Sequence, residues 1–204
     1  VSAYKITTFS GSTFDIGIFS QMFESMRRDF SQVTTLERDR FMSHFAVHIS
    51  PIYYLLLPFY YVFPYGETLE ILQILIVFSG VIPLYLILKK MEFPTFTKPL
   101  ILLWFFLTPA LTTSGSYHLH ENCFLVPLLL WLIYANISQW KWRLGLITLL
   151  ALMIKEDAFI YVVSIGLYFL LQKRFVQTKT STFTIVITQL IAPVIYFGLC
   201  LIIL

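Results

Sequence analysis

Three groups of ionisable side chains interrupt an otherwise apolar chain. The first is Asp15 with His44 and His48, the second is His118, His120 and Glu121, and the third is Lys155, Glu156 and Asp157. Ionisable residues within or at the edge of membrane segments are costly to bury, which makes them functional candidates. Carboxylate beside imidazole suits general acid–base chemistry or the binding of a hard divalent cation. A lysine among them can offset the charge of a phosphate.

Each group also has a plainer explanation. Asp15 is either an acid facing a membrane-proximal cavity or part of a capping box with Ser12. On a helix, His44 and His48 share one face, a spacing that suits a metal or an anion, although unliganded pairs of this kind are commoner. In an extended loop, His118 and His120 point the same way; with Glu121 they hold a cation or phosphate, or the loop is simply solvated. Lys155 could neutralise a lipid-linked phosphate while Glu156 or Asp157 acts as base or metal ligand, or the triplet is an internal ion pair tying two half-helices together. The chain has no Gly-rich phosphate loop, Cys-rich zinc pattern or Gly-x-Ser-x-Gly elbow. Cys123 and Cys200 lie in apolar runs and read as packing residues.

The elements that must position these groups belong to a membrane protein. Of 204 residues, 58% are hydrophobic, 18% aromatic and only 12% charged, and the net charge is +3. Mean hydropathy is +0.79, spread over several long apolar runs. That pattern predicts an all-α, polytopic transmembrane bundle with no role in nucleic-acid binding. The chain reads as a fragment, with membrane helices expected before Val1 and after Leu204. Residues 1–50 are expected to form an extracytoplasmic loop, and residues 51–204 the transmembrane domain.

Within the loop, Ser12 to Ser31 reads as an amphipathic helix. Ile18, Phe19, Met22, Phe23, Met26 and Phe30 recur at helical spacing, as in a helix lying in the membrane interface. Residues 32–43 read as a loop or short surface helix. Pro51 to Phe63 is too short to span, holds Pro58, and is expected to be half-inserted or tilted. Thr68 to Leu88 is a span with a kink at Pro83, followed by spans over Pro99–Thr113 and Cys123–Ile137. Leu144 to Leu171 carries the charged triplet in its middle. As one straight helix it would put three charges near the bilayer centre, so a hairpin with the triplet at its apex is preferred. Another span begins at Phe183.

The loops at 89–98, 139–143 and 172–182 are strongly basic. By the positive-inside rule they are cytoplasmic, which leaves all four histidines and most acids converging on the outer side. The expected setting is a multi-pass protein of a prokaryotic plasma membrane.

Four motifs carry a resemblance: Phe14-Asp15-Ile16-Gly17-Ile18-Phe19-Ser20-Gln21, His44-Phe45-Ala46-Val47-His48-Ile49-Ser50-Pro51-Ile52, His120-Glu121-Asn122 and Lys155-Glu156-Asp157. Together and in this order, over nearly the whole chain, they resemble a family of predicted polytopic membrane proteins, domain-of-unknown-function family twenty seventy-nine. That family looks like a distant branch of the GT-C membrane glycosyltransferases, which take a sugar from a polyprenyl-phosphate carrier at the outer face. The resemblance implies a catalytic or metal-linked role for Asp15, a second-loop acid in Glu121, and Lys155 near the lipid phosphate. His44, His48, His118, His120, Glu156 and Asp157 would serve phosphate or substrate binding. If a divalent cation takes part, Asp15, His48, His120 and Glu121 are its expected ligands. A transporter or flippase of a lipid-linked or anionic substrate is the alternative, and a non-catalytic membrane protein a further one.

Overall fold

The computed structural model describes residues 13–109, 111, 119–175 and 181–204. They form a helical bundle. Helix α1 (Thr13–Asp29) begins with Asp15 in its first turn. Ser12, the other half of the expected capping box, lies outside the described residues. The apolar stripe predicted for the membrane interface is instead buried in protein: Met22, Phe23 and Met26 have no exposed surface and pack with Tyr53 and Tyr60. The helix ends where Phe30 turns left-handed at φ 60°. On its polar side, Glu24 pairs with Arg27 and Arg28, each at 2.8 Å. Hydrogen bonds from the two guanidinium groups hold the Glu24 carboxyl down at about 2.

The segment expected as a loop or short surface helix holds a short 3-10 turn, Glu37–Asp39, set within a small ribbon. Two-residue strands β1 (Val33–Thr34) and β2 (Met42–Ser43) pair antiparallel. Gln21 fixes this ribbon to α1: its Oε1 accepts from the Thr34 hydroxyl and the Thr35 N–H, both at 2.9 Å. A 3-10 turn, His44–Ala46, follows directly.

Helix α2 (Tyr53–Val62) contains Pro58 and has ten residues. At 1.5 Å per residue it is about 15 Å long, too short to cross a bilayer, as the sequence predicts. Its tyrosines reach back to the end of α1, where backbone carbonyls lack helical partners. Tyr54 donates to the Phe30 carbonyl at 2.8 Å and Tyr61 to that of Arg27 at 2.6 Å.

Helices α3 (Gly66–Ser79) and α4 (Val81–Lys90) run on as one 25-residue span, Gly66–Lys90. The interruption falls at Gly80, three residues before the proline expected to cause it. Pro83 has no N–H for the carbonyl four residues earlier, that of Ser79, so the defect lands one turn upstream. Helix α5 (Thr97–Leu107) packs against α4. A 3-10 turn, Glu121–Phe124, leads into α6 (Leu125–Ser138), together an 18-residue span. Beyond it, Arg143 stacks on Trp140 at 4.2 Å, as expected of an interfacial anchor.

The charged stretch does break the next apolar run into two helices, α7 (Lys141–Leu152) and α8 (Ala158–Phe175). They fold back on each other. An added Cβ at Gly145 would lie 3.8 Å from Thr188, and one at Gly166 would lie 2.8 Å from Gln189. Two glycines 21 residues apart therefore meet adjacent residues of one helix. In a straight helix they would stand about 31 Å apart. The triplet Lys155-Glu156-Asp157 is the apex of this hairpin. The last helix, α9 (Thr182–Ile203), is a 22-residue candidate span with a π-helical stretch at Val186–Ile191. Large apolar side chains are exposed around the bundle, such as Trp104 at 73% and Ile202 at 82%, the surface a lipid environment requires.

Candidate functional site

Four chain segments meet at the apex of the hairpin. The first is the turn after β2. His44 N–H bonds the Gln32 carbonyl at 2.7 Å, and the Val47 and His48 N–H groups both return to the His44 carbonyl at 2.9 Å. That local winding gives His44 and His48 a common side, with ring centroids 6.0 Å apart. The second segment is the start of α2, docked to the hairpin by an Ile52 N–H bond to the Met153 carbonyl at 2.9 Å. The third is the turn His120–Phe124, whose His120 N–H donates to Gln73 Oε1 of α3 at 2.6 Å. The fourth is the triplet itself.

Their side chains interlock. Glu121 is 1% exposed. Its Oε2 accepts a 2.7 Å hydrogen bond from the Tyr53 hydroxyl, and its Oε1 lies 3.3 Å from Lys155 Nζ. His120 Nδ1 stands 3.6 Å from Oε2. Glu156 takes His48 Nδ1 at 3.1 Å on one oxygen and the Ile49 N–H at 2.9 Å on the other. Burial raises the Glu156 carboxyl, but bonds from its own backbone, His48 and Ile49 outweigh it and hold the group below the usual range. His44 Nδ1 is 2.9 Å from Glu37 Oε2.

A common pattern results: each donor is backed by a carboxylate. The carboxylates of Glu121 and Glu156 are largely buried, at 2% and 14% side-chain exposure, while His48 and His120 reach solvent at 36% and 53%. Lys155 is about as buried as Glu156, at 12%. The arrangement presents two imidazoles outward and keeps the carboxylates behind them, a polarity suited to receiving an anion. His44 Nε2, Ser50 Oγ and Asp157 Oδ1 are buried near this end with no hydrogen-bond partner among the described residues. Such atoms retain unused hydrogen-bonding capacity.

The expected residues thus come together in part. His44, His48, His120, Glu121, Lys155 and Glu156 join through the contacts above, and Asp157 follows at the apex. His118 lies outside the described residues. Asp15 sits one turn before Phe19, whose ring contacts both His44 at 5.9 Å and Tyr53 at 5.5 Å. It therefore lies on the site-facing side of α1, although no ion pair or side-chain hydrogen bond joins it to the cluster among the described residues.

The expected cation ligands Asp15, His48, His120 and Glu121 do not form a metal-holding group; among the described residues no three His, Cys, Asp or Glu side chains do. His48 is engaged by Glu156, and both oxygens of Glu121 face other partners. Sequence reasoning missed Tyr53 and Gln73. A tyrosine in an aromatic run carries no sign of a buried carboxylate 68 residues away. Gln73 did offer a signal, as a polar residue inside a transmembrane segment, next to Glu70 one turn earlier; both are buried.

Fold and site together define a multi-pass helical membrane protein with a charged cluster at one end of its bundle. Residues 5–203 match the family described as Predicted membrane protein (DUF2079), and the chain belongs to that family. Neither a curated protein nor a solved structure matches it.

Proposed function

We propose that the protein is a glycosyltransferase-like membrane enzyme of GT-C type that takes a sugar from a polyprenyl-phosphate donor at the outer face of the membrane. The observation that carries this reading is the layered cluster: His48 and His120 in front, Glu121 and Glu156 behind, and Lys155 held beside Glu121. A phosphate has the charge and acceptor geometry such a layer receives. Placement at one end of the bundle supports a membrane-surface reaction. The basic residues Lys141 and Arg143 begin the α7–α8 hairpin at the end away from its apex, which under the positive-inside rule supports an outward-facing apex.

In this reading, residues 1–50 belong to the first outer loop, whose described part carries Asp15, His44 and His48. Asp15 is the base that takes the proton of the acceptor hydroxyl. Glu121 works differently: with both oxygens engaged, it holds Lys155 toward the donor phosphate. His44, paired with Glu37, supports His48 from behind.

The test is turnover of lipid-linked sugar by the full-length protein carrying Asp15→Asn or Lys155→Met. Both variants should insert normally and lose turnover; normal turnover in either, correctly inserted, overturns its assigned role. A cysteine at position 155 separates enzyme from transporter. Labelling by an impermeant thiol reagent from the outer side alone supports the enzyme, whereas labelling from both sides favours alternating access.

A further inference from the structure

A cavity of about 500 Å³ opens at the corner where α2 gives way to α3. Phe59, Phe63, Tyr65, Glu67, Ile71 and Leu72 line it, and none of them belongs to the charged cluster. The corner is fixed by its own chain. The Phe63 carbonyl accepts from the Tyr65 N–H and the Thr68 hydroxyl, both at 2.8 Å, and the Tyr65 carbonyl accepts from the Thr68 N–H at 3.1 Å. Helix α1 closes in beside it, where an added Cβ at Gly66 would lie 3.2 Å from Ser20 Oγ. Glu67 stands in the first turn of α3 and makes no hydrogen bond or ion pair among the described residues. An acid there suits the helix dipole, but that does not account for the rings gathered at the same cavity. Phe59, Phe63 and Tyr65 are each more than half exposed. The faces of aromatic rings attract cations, as the carboxylate does, and both disfavour anions.

Depth in the membrane points to the ligand. The span Gly66–Lys90 has 25 residues, about 38 Å of helix against a hydrocarbon core of about 30 Å. With Lys89 and Lys90 at one surface, Glu67 reaches the headgroup layer of the other. Ile71 and Leu72 stand one turn further into the span, so the lining changes from charge through rings to aliphatic surface. The bilayer changes in the same order, from headgroup to chain. We propose that this cavity is a lipid site for a headgroup bearing a primary ammonium. Glu67 is its counter-ion, the three rings surround the carbons next to the nitrogen, and Ile71 and Leu72 lie against the upper part of a chain. A primary ammonium supplies the N–H donors that a carboxylate accepts, and a quaternary ammonium has none. The site is independent of the proposed transfer reaction.

The experiment is native mass spectrometry of the full-length protein, equilibrated with an equimolar mixture of phosphatidylethanolamine, phosphatidylcholine and phosphatidylglycerol of identical chains. Wild type should retain phosphatidylethanolamine about fivefold over the other two, the scale of an ion pair near a surface. Glu67→Gln keeps the shape of the side chain and removes its charge, and should abolish that preference. Glu67→Asp keeps the charge and should preserve most of it. Retention of phosphatidylglycerol should not fall in Glu67→Gln, which separates a lost site from a lost fold. Equal retention of phosphatidylethanolamine and phosphatidylcholine by wild type would overturn the primary-ammonium assignment. A preference that survives Glu67→Gln would overturn the role of Glu67. No lipid retained by wild type would leave the cavity to solvent or to another protein segment and overturn the site.

Discussion

Among the described residues, two polar clusters inside this apolar bundle are built in opposite ways. Deep between α6 and α9, Asn136 and Gln189 exchange hydrogen bonds: Asn136 Nδ2 donates to Gln189 Oε1 at 3.2 Å, and Gln189 Nε2 donates to Asn136 Oδ1 at 3.0 Å. Both are buried and neutral, and α8 approaches them closely through Gly166. The cluster at Glu121 is charged, spans four segments and leaves His48 and His120 facing solvent. A closed amide pair satisfies itself and fixes how helices dock. The open one spends buried carboxylates on holding donors outward, an arrangement that helix docking does not require.

The contrast can be broken experimentally, and the largest effect belongs to the charged side. Glu121→Leu leaves Lys155 without its carboxylate in a nearly dry site. It should lower stability by about 3 kcal/mol in thermal unfolding of the detergent-solubilised protein. The double variant Glu121→Leu/Lys155→Met should lose less than the single one, because no charge is then stranded; an equal or larger loss would mean that Lys155 is solvated in practice. On the neutral side, Asn136→Leu orphans the Gln189 amide and should cost about 1–3 kcal/mol, with Asn136→Leu/Gln189→Leu closer to wild type.

The smallest effect is a pH dependence. The Glu156 carboxyl is held below its ordinary range in the folded protein. Its stabilising contribution is therefore complete above the unfolded value, about 4.3, and is lost as pH falls through the lower folded value. Glu156→Gln should flatten stability across that acidic window and leave the slope unchanged above about pH 6. A slope as steep as wild type below pH 5 would assign the effect to another group.

Much of this architecture is legible in the sequence because it follows from cost. Three adjacent charges in an apolar run cannot sit at the bilayer centre, so Lys155–Asp157 had to turn the chain, and it does. Helical composition and the short α2 follow from run lengths alone. The α1 stripe was legible as a stripe but not in its destination: periodicity shows that Met22 and Met26 share a face, and cannot say whether lipid or Tyr60 covers it. The kink near Pro83 was placed at the proline, whereas the missing N–H acts one turn earlier. Pairings over long separations were invisible, among them Tyr53 with Glu121 and Asn136 with Gln189. The residue types are compatible with many partners, and only the fold selects one. For His48, the sequence indicated a metal or phosphate, and the fold supplied Glu156, a carboxylate 108 residues away.

The difference between the two clusters is tested most directly by one comparison of turnover in membranes holding the full-length protein. Consumption of a polyprenyl-phosphate-linked sugar would be measured for wild type, Lys155→Met and Asn136→Leu/Gln189→Leu at equal amounts of inserted protein. Loss of one preorganised cationic contact should slow the reaction by about 100-fold or more, while the amide-pair variant should stay within a few-fold of wild type. Equal rates for wild type and Lys155→Met would contradict the assignment of the charged end as the site of chemistry.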